Sequence, residues 1–194
     1  MPNLGDIAEI SAGHAFRGAV IPDKDAEYLV IQMKDVDSET LVNWRGAELA
    51  TPPGKKAPAC LAQGDIIFLA RGRHNYAIHF SEPPPVKIIC TQHFFVIRVV
   101  DNRFKPAFVA WQINQAYAQD HFDKNAVGGK NRNITLTALK HTEMVQGSSA
   151  NQNKIEELTL LIEREQQLFR HLMANRKNQI SAIASVILEQ GIAE

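Results

Sequence analysis

Cationic and amide side chains cluster in two glycine-containing segments near the middle of the chain. The first is Arg71-Gly72-Arg73-His74-Asn75, which follows the apolar run at 66–69. A glycine between two arginines lets the backbone approach a ligand while both guanidinium groups project from a turn. Guanidinium groups suit phosphate oxygens and the O6 and N7 edge of guanine, and asparagine can pair with adenine. The segment predicts a loop that binds such groups, with a solvated basic loop as the alternative.

The second segment is Gly128-Gly129-Lys130-Asn131-Arg132-Asn133. Its two glycines and two cations could form a concave group of backbone amides beside positive charge, although an ordinary glycine-rich turn is the alternative. Two weaker candidates are the segment 32–35, which contains Lys34, and the pair Gln92-His93; for both, a surface turn is the alternative.

The sequence motifs of common catalytic and metal sites are absent. We find no Walker A loop, no dinucleotide-binding glycine motif, no nucleophile elbow and no Cys/His set with zinc spacing. The histidines at 74, 79 and 93 have apolar or basic neighbours, which is typical of packed or surface residues. The sequence predicts no catalytic residue, no metal and no cofactor, and it disfavours a small hydrolase using His and Asp.

Composition limits the class of protein. The chain has 194 residues, 45% of them hydrophobic and 22% charged, which suits one core with an appendage. Its net charge of zero excludes a uniformly basic binder of polyanions. The charge is uneven, however: residues 71–140 hold ten Lys and Arg against four Asp and Glu, a net of +6. An anion-binding face is therefore expected in this middle segment.

The cysteines and the apolar runs predict the compartment. Cys60 and Cys90 both have apolar neighbours, so we expect two buried thiols in a reducing compartment. The N-terminal residues lack the order of a signal peptide, and no apolar run approaches the length of about 18 residues needed to span a membrane. We expect a cytoplasmic protein with no membrane partner.

The first 148 residues predict an α+β domain with a twisted mixed or antiparallel sheet and flanking helices. Strand-like stretches occur at 7–10, 28–32, 66–70, 77–80, 87–90 and 94–100, and a helix with Pro106 in its first turn is predicted over 106–117. The polar segments follow or precede these strands, so one sheet edge could present several of them to a DNA groove. The candidate DNA-contacting residues are Lys34, Arg71, Arg73, His74, Asn75, Gln92, Lys130, Asn131 and Arg132.

Residues 149–194 predict one long helix. Proline and glycine are absent from 152 to 189, and Ser149 with Gln152 has the spacing of a capping box. From 152 to 189 alone the helix would be about 55 Å long. A heptad-like apolar seam, with one irregularity and with Glu165 and Arg176 in its gaps, is formed by Ile155, Leu158, Ile162, Phe169, Leu172, Ile180, Ile183 and Ile187. The seam favours coiled-coil pairing with another long helix, and a core helix packed along the preceding domain is the alternative.

Short motifs in one consistent order give the sequence a family resemblance over nearly its whole length. Together they resemble the target-recognition domain of type I restriction-modification specificity (S) subunits. In chain order the motifs are Leu4-Gly5-Asp6-Ile7-Ala8-Glu9-Ile10-Ser11-Ala12-Gly13, Gln32-Met33-Lys34-Asp35-Val36, Leu61-x-x-Gly64-Asp65-Ile66-Ile67-Phe68-x-Ala70-Arg71-Gly72, His93-Phe94-Phe95-Val96-Ile97-Arg98, Pro106-x-Phe108-Val109-Ala110-Trp111 and Gly128-Gly129-x-x-Arg132-Asn133-Ile134.

The resemblance implies a non-catalytic subunit that recognises double-stranded DNA. Such subunits usually carry two recognition domains and two long helices, and the helices pair antiparallel so that each domain reads half of a split target. They dock methyltransferase subunits, which bind S-adenosylmethionine, and through them a restriction subunit.

With one domain and one helix, the chain resembles half of such a subunit. It also lacks the family's Pro-rich entry to the helix, where 145–149 reads Val-Gln-Gly-Ser-Ser. We therefore expect a homodimer that reads a split palindromic site. The alternative is an adaptor that binds proteins through its coiled coil and does not bind DNA.

Overall fold

The computed structural model of the chain describes residues 1–36, 46–54, 57–72, 74–84, 86–128 and 132–192. The chain divides into two compact units, Met1–Glu156 and Glu157–Glu194. One long helix, Ser149–Ile192, contributes residues to both units. It begins at Ser149, where the change in composition predicts it.

The described elements alternate short strands with short helices before one long helix. In chain order they are α1 (Leu4–Ile7), β1 (Ala8–Ala12), β2 (Tyr28–Ile31), a 3-10 turn (Met33–Asp35), β3 (Glu48–Leu49), β4 (Ile66–Leu69), β5 (Arg71–Gly72), β6 (Ala77–His79), β7 (Lys87–Cys90), β8 (Phe94–Val99), α2 (Pro106–Ile113), α3 (Ala116–Asn125), β9 (Arg132–Asn133), α4 (Leu136–Lys140) and α5 (Ser149–Ile192). The predicted α+β class is confirmed.

The strands pair in three groups. The largest is an antiparallel sheet with the order β1-β8-β4-β6, in which Ile66 of β4 lies between Ile97 of β8 and His79 of β6. In the second sheet, β2 pairs antiparallel with β3 and parallel with β7. The third group is a two-stranded antiparallel ribbon of β5 and β9.

Strand β4 is buried on both faces, which explains why its sequence is continuously apolar. Ile66 and Phe68 belong to a core that also contains residues of α1, α2, α3 and α4. Ile67 and Leu69 point to the opposite side, into a second core shared with β2 and β7. Beside the first core, buried Asp65 accepts two hydrogen bonds from Arg98, at 2.8 and 2.7 Å.

The helix predicted over 106–117 is two helices. Helix α2 ends at Ile113, and α3 begins at Ala116. The break lies at Gln115, whose backbone is extended, with φ −80° and ψ 156°. The preceding Asn114 has a side-chain amide that accepts a hydrogen bond from Ala77 N–H at 2.7 Å and donates one to the Ala77 carbonyl at 2.8 Å. This bidentate contact joins the end of α2 to β6.

The expectation of two buried thiols is wrong for one cysteine. Cys60 is exposed, because it lies on the loop before β4, and Cys90 is buried at the end of β7. Both are free thiols. Burial raises the pKa of Cys90 to about 12, so this thiol stays protonated and unreactive at neutral pH.

The start of α5 is held by Gln152, but not through the predicted capping box. Ser148, one residue earlier than predicted, accepts a hydrogen bond from Asn151 N–H at 3.2 Å. The buried Gln152 amide accepts from Lys105 N–H and donates to the carbonyls of Arg103 and Gly147, at 2.8 to 2.9 Å. Gln152 thus forms hydrogen bonds with backbone groups of three other residues, and Ser148 caps the helix.

The second unit is the remainder of α5. The predicted seam residues within it, from Leu158 to Ile187, are exposed, with 46% to 69% of their surface accessible. Ile155, in the first unit, is half-buried. No helix among the described residues is long and apolar enough to cross a membrane.

Candidate nucleic-acid interface

The ribbon of β5 and β9 brings together two segments that the sequence singled out separately. Arg71 lies opposite Asn133, and Gly72 lies opposite Arg132. The Arg71 guanidinium donates a hydrogen bond to Asn133 Oδ1 at 3.3 Å, and Arg132 forms an ion pair with Asp123 of α3. Arg71 is exposed and Arg132 is partly exposed, so the ribbon presents two guanidinium groups at the surface.

The two described polar residues of the turn after β5, His74 and Asn75, differ in exposure. His74 is exposed. Asn75 is only 3% exposed, and its side-chain amide donates to the Leu69 carbonyl at 2.9 Å. Asn75 therefore shapes the turn in this structure, and a contact with a base would require the turn to open. The candidates Arg73, Lys130 and Asn131 lie outside the described residues.

Beside the ribbon lies a cavity of about 270 Å³, which we call the loop cavity. Its walls are residues of three segments: the loop after β1 at 16–20, the turn after β2 at 32–34 and the turn between β7 and β8 at 91–93. Lys34 and Gln92, two of the predicted site residues, line this cavity. The sequence therefore identified two of the three segments and missed the loop after β1.

Gln92 builds the wall of the loop cavity. Its amide accepts a hydrogen bond from Phe16 N–H at 2.9 Å and donates one to the Phe16 carbonyl at 3.2 Å. Shortly before Phe16, the chain passes very close to the end of β7 at Gly13: a Cβ on Gly13 would lie 2.2 Å from the Thr91 carbonyl oxygen. Both side-chain polar atoms of Gln92 are thus occupied in this structure, although its contact with DNA stays a prediction.

Lys34 stands at the edge of the cavity in an ion pair. Its ammonium lies 2.7 Å from the Glu48 carboxylate, which also accepts a hydrogen bond from Gln32 at 3.0 Å. The hydrogen bond from Lys34 lowers the pKa of Glu48, and the hydrogen bond to Glu48 raises the pKa of Lys34. Both groups are therefore charged at neutral pH.

Two lining residues carry buried polar atoms without a hydrogen-bond partner among the described residues. They are Thr91 Oγ1 and His93 Nδ1. Burial lowers the pKa of His93, and the positive charge of Arg71 lowers it further, so the imidazole is neutral at pH 7. No sequence motif marks Thr91, and His93 is marked only as part of the weaker candidate pair Gln92-His93, because an unpartnered atom is visible only in the folded chain.

The ribbon and the loop cavity adjoin each other. A Cβ placed on Gly72 would lie 3.4 Å from the end of the Met33 side chain, in the wall of the cavity. On the strand side, Ala70 N–H donates to the His93 carbonyl at 3.0 Å. Segments that lie far apart in sequence therefore form one surface with Arg71, Arg132 and Lys34. Among the described residues, no three His, Cys, Asp or Glu side chains are grouped closely enough to bind a metal ion.

Comparison with known proteins identifies the fold. No protein-family model matches the chain, and no curated protein matches it in sequence. Among solved structures, it is similar to the type I restriction-modification system S subunit from M. genitalium, with a TM-score of 0.58 at 15% identity over 90% of this chain. It is also similar to the HsdS subunit from Thermoanaerobacter tengcongensis, with a TM-score of 0.54 at 11% identity over 88% of this chain.

The chain therefore has the fold of type I S subunits, in agreement with the motifs in its sequence. It spans 42% and 38% of the length of these two structures. At such low identity the likeness establishes the fold, and the function has to be argued from this chain's own residues.

Proposed function

We propose that the chain is a sequence-specific DNA-recognition subunit of a type I restriction-modification complex, without catalytic activity of its own and acting in the cytoplasm. The observation that carries the proposal is the ribbon of β5 and β9, which presents Arg71 and Arg132 on a fold shared with S subunits. A two-stranded ribbon fits the major groove of DNA, where arginine pairs with the O6 and N7 atoms of guanine.

The ribbon and its surroundings supply the predicted contacts. Arg71, Arg73, His74 and Arg132 are proposed to face the duplex, with Lys130 and Asn131 in the segment that precedes β9. Because the whole chain is electrically neutral, phosphate contacts are few and the counterion-release contribution to affinity is modest. Binding by the chain alone is therefore weak and sensitive to salt.

The exposed apolar seam of α5 supports pairing with another long helix. Contiguous exposed apolar surface of this kind marks an interaction site. We propose that a second copy of the chain supplies the partner helix in an antiparallel coiled coil, so that two identical domains read a split palindromic site.

The remaining partners follow from the type of complex proposed. Methyltransferase subunits would dock on this assembly, bind S-adenosylmethionine, methylate adenine and connect it to a restriction subunit. No cofactor is proposed for this chain itself. A methyltransferase partner adds its own DNA contacts, so the complex binds the specific site much more tightly than this chain alone.

The proposal is tested by selecting bound duplexes from a random-sequence DNA pool at low salt. We expect enrichment of two inverted half-sites separated by a fixed gap. Charge reversal of the ribbon, Arg71→Glu with Arg132→Glu, should weaken binding of the enriched duplex roughly thirtyfold or more, because two arginine–base contacts at about 1–3 kcal/mol each sum to at least about 2 kcal/mol. Affinity is measured by fluorescence anisotropy.

The single variant Arg132→Glu has a matched control in Arg103→Glu, since each of these arginines is paired with an aspartate, Asp123 and Asp101 respectively. Arg103→Glu should keep the affinity. An unenriched pool would contradict the proposal. If the ribbon variant keeps its DNA affinity but loses binding to a protein partner, the chain is an adaptor.

A further inference from the structure

The loop cavity differs from the ribbon in shape and in the chemistry of its walls. The ribbon is a projecting element, whereas the cavity is a concave surface of about 270 Å³. Phe16, Val20 and Met33 give it apolar walls, and Lys34 places a cation at its edge. The two surfaces adjoin at Gly72 and Met33, so one duplex can contact both.

Two residues that line the cavity carry buried polar atoms without a hydrogen-bond partner among the described residues. Only 4% of the surface of Thr91 is exposed, yet its hydroxyl oxygen has no hydrogen-bond partner among the described residues. His93 Nδ1 is in the same condition. A buried polar atom without a hydrogen bond is costly, and such atoms in native structures usually have a bound partner.

The shape of DNA decides which of its groups can enter. Base edges lie at the bottom of the grooves and are reached by projecting protein elements, whereas the sugar-phosphate backbone forms the raised edges of each groove. A concave surface therefore matches the backbone. The apolar walls suit the deoxyribose, while a hydroxyl, an imidazole N–H and an ammonium suit phosphate oxygens.

We propose that the loop cavity binds one phosphodiester of the DNA backbone, with Lys34, Thr91 and His93 as its ligands, beside the bases that the ribbon reads. This rests on the proposed DNA-recognition function. The neutral imidazole donates a hydrogen bond and adds no charge. Thr91 Oγ1 and His93 Nδ1 are covered in the free chain, so the residues that line the cavity have to shift when the phosphate enters.

Glu48 competes with the phosphate for Lys34. The 2.7 Å ion pair has to open or share the ammonium when DNA binds. The site therefore predicts opposite effects for the two partners of one ion pair: removal of the lysine charge weakens binding, and removal of the glutamate charge strengthens it.

The test compares Lys34→Gln and Glu48→Gln, measured on the selected duplex and on a scrambled duplex of equal length. Affinity falls with salt, and the loss of one phosphate contact makes the slope of log affinity against log salt concentration less steep by about 0.9 for each chain bound. If Lys34→Gln and the original chain bind equally at 1 M salt, this difference in slope makes the variant bind roughly eightfold more weakly at 0.1 M salt. The factor should be equal for both duplexes, because a phosphate contact carries no sequence information.

A second ion pair of the same kind supplies matched controls. Lys87 and Glu27 are exposed and lie 2.6 Å apart, and neither lines the loop cavity. Lys87→Gln and Glu27→Gln change the net charge by the same amounts as the test variants, but they should leave the salt slope unchanged. If Lys34→Gln and Lys87→Gln change the salt slope equally, net charge alone explains the effect, and the proposal is overturned.

The phosphate itself is located by substituting single methylphosphonates along the selected duplex. One position in each half-site should weaken binding of the original chain and of Lys87→Gln, but have little further effect on Thr91→Val, which removes the hydroxyl and keeps the side-chain shape. If every position acts equally on Thr91→Val and on the original chain, the cavity binds no phosphate. If the chain then still binds the selected duplex, only the phosphate site is refuted and the proposed DNA recognition by the ribbon stands. If the random pool shows no enrichment, the proposed DNA recognition itself is contradicted.

Discussion

Polar residues near the proposed interface divide into those that face the surface and those that build it. Asn75 bonds to the Leu69 carbonyl, and Gln92 bonds to both backbone polar groups of Phe16. Side chains of this kind satisfy backbone groups that would otherwise be unpaired. Gly13 contributes by having no side chain, because the chain passes β7 at a distance that excludes a Cβ.

Gly13→Ala should destabilise the protein by about 3 kcal/mol, because the new methyl group collides with backbone carbonyls that have little freedom to move. The measurement is urea denaturation followed by circular dichroism. Gly18→Ala is the control: Gly18 has a φ of 93° but nothing within 4 Å of a new Cβ. Backbone strain alone costs about 1 kcal/mol there, and a Gly13→Ala cost no larger than this would contradict the steric account.

At the scale of elements, two long-range contacts arrange the surface and the start of the long helix. The ribbon joins β5 and β9, which are separated in sequence by three strands and two helices. At the start of α5, Gln152 ties the helix to Arg103, Lys105 and Gly147. Lys105 adds an ion pair with Glu156 at 2.6 Å. These contacts anchor the first two turns of α5 within the first compact unit.

Gln152→Ala should lower the free energy of unfolding by about 2 kcal/mol, because it leaves buried backbone groups without partners. Hydrogen exchange by NMR should show the largest loss of protection in the amides of residues 149–156. Asn153→Ala removes an exposed amide from the next position of the same helix and serves as the control. Equal changes in both variants would show that Gln152 does not anchor the helix.

At the scale of the whole molecule, the second unit carries an exposed apolar stripe. Its seam residues are exposed along a 44-residue helix. The hydrophobic effect favours covering such a stripe, and an antiparallel pairing of two copies would cover both at once.

The combined substitution Ile162→Glu and Ile180→Glu should weaken the proposed dimer roughly hundredfold or more, because it places unpaired charges in the seam. Analytical ultracentrifugation over a range of concentrations measures the dissociation constant. Ala174→Glu with Ala182→Glu adds the same charge at positions that helix periodicity places off the stripe. A folded monomer of the original chain at tens of micromolar would refute the homodimer.

Much of the fold could be predicted from local sequence. The strands at 87–90 and 94–99 and the long helix were identified because their patterns of apolar residues have the periods of a buried strand and of an amphipathic helix. Glycine and proline mark the turns between them. The S-subunit fold was anticipated from motifs whose order, although not their individual sequence, is specific.

The sequence by itself therefore determined the class of fold, the position of the long helix and which segments carry cationic side chains. Only the tertiary structure decided that β5 pairs with β9, that Asn114 joins the end of α2 to β6, that Cys60 is exposed and that the loop after β1 closes a cavity lined by Thr91 and His93. The physical reason is that periodicity reports on contacts within one element. Pairing, burial and unmet hydrogen bonds depend on groups that the chain brings together from distant positions.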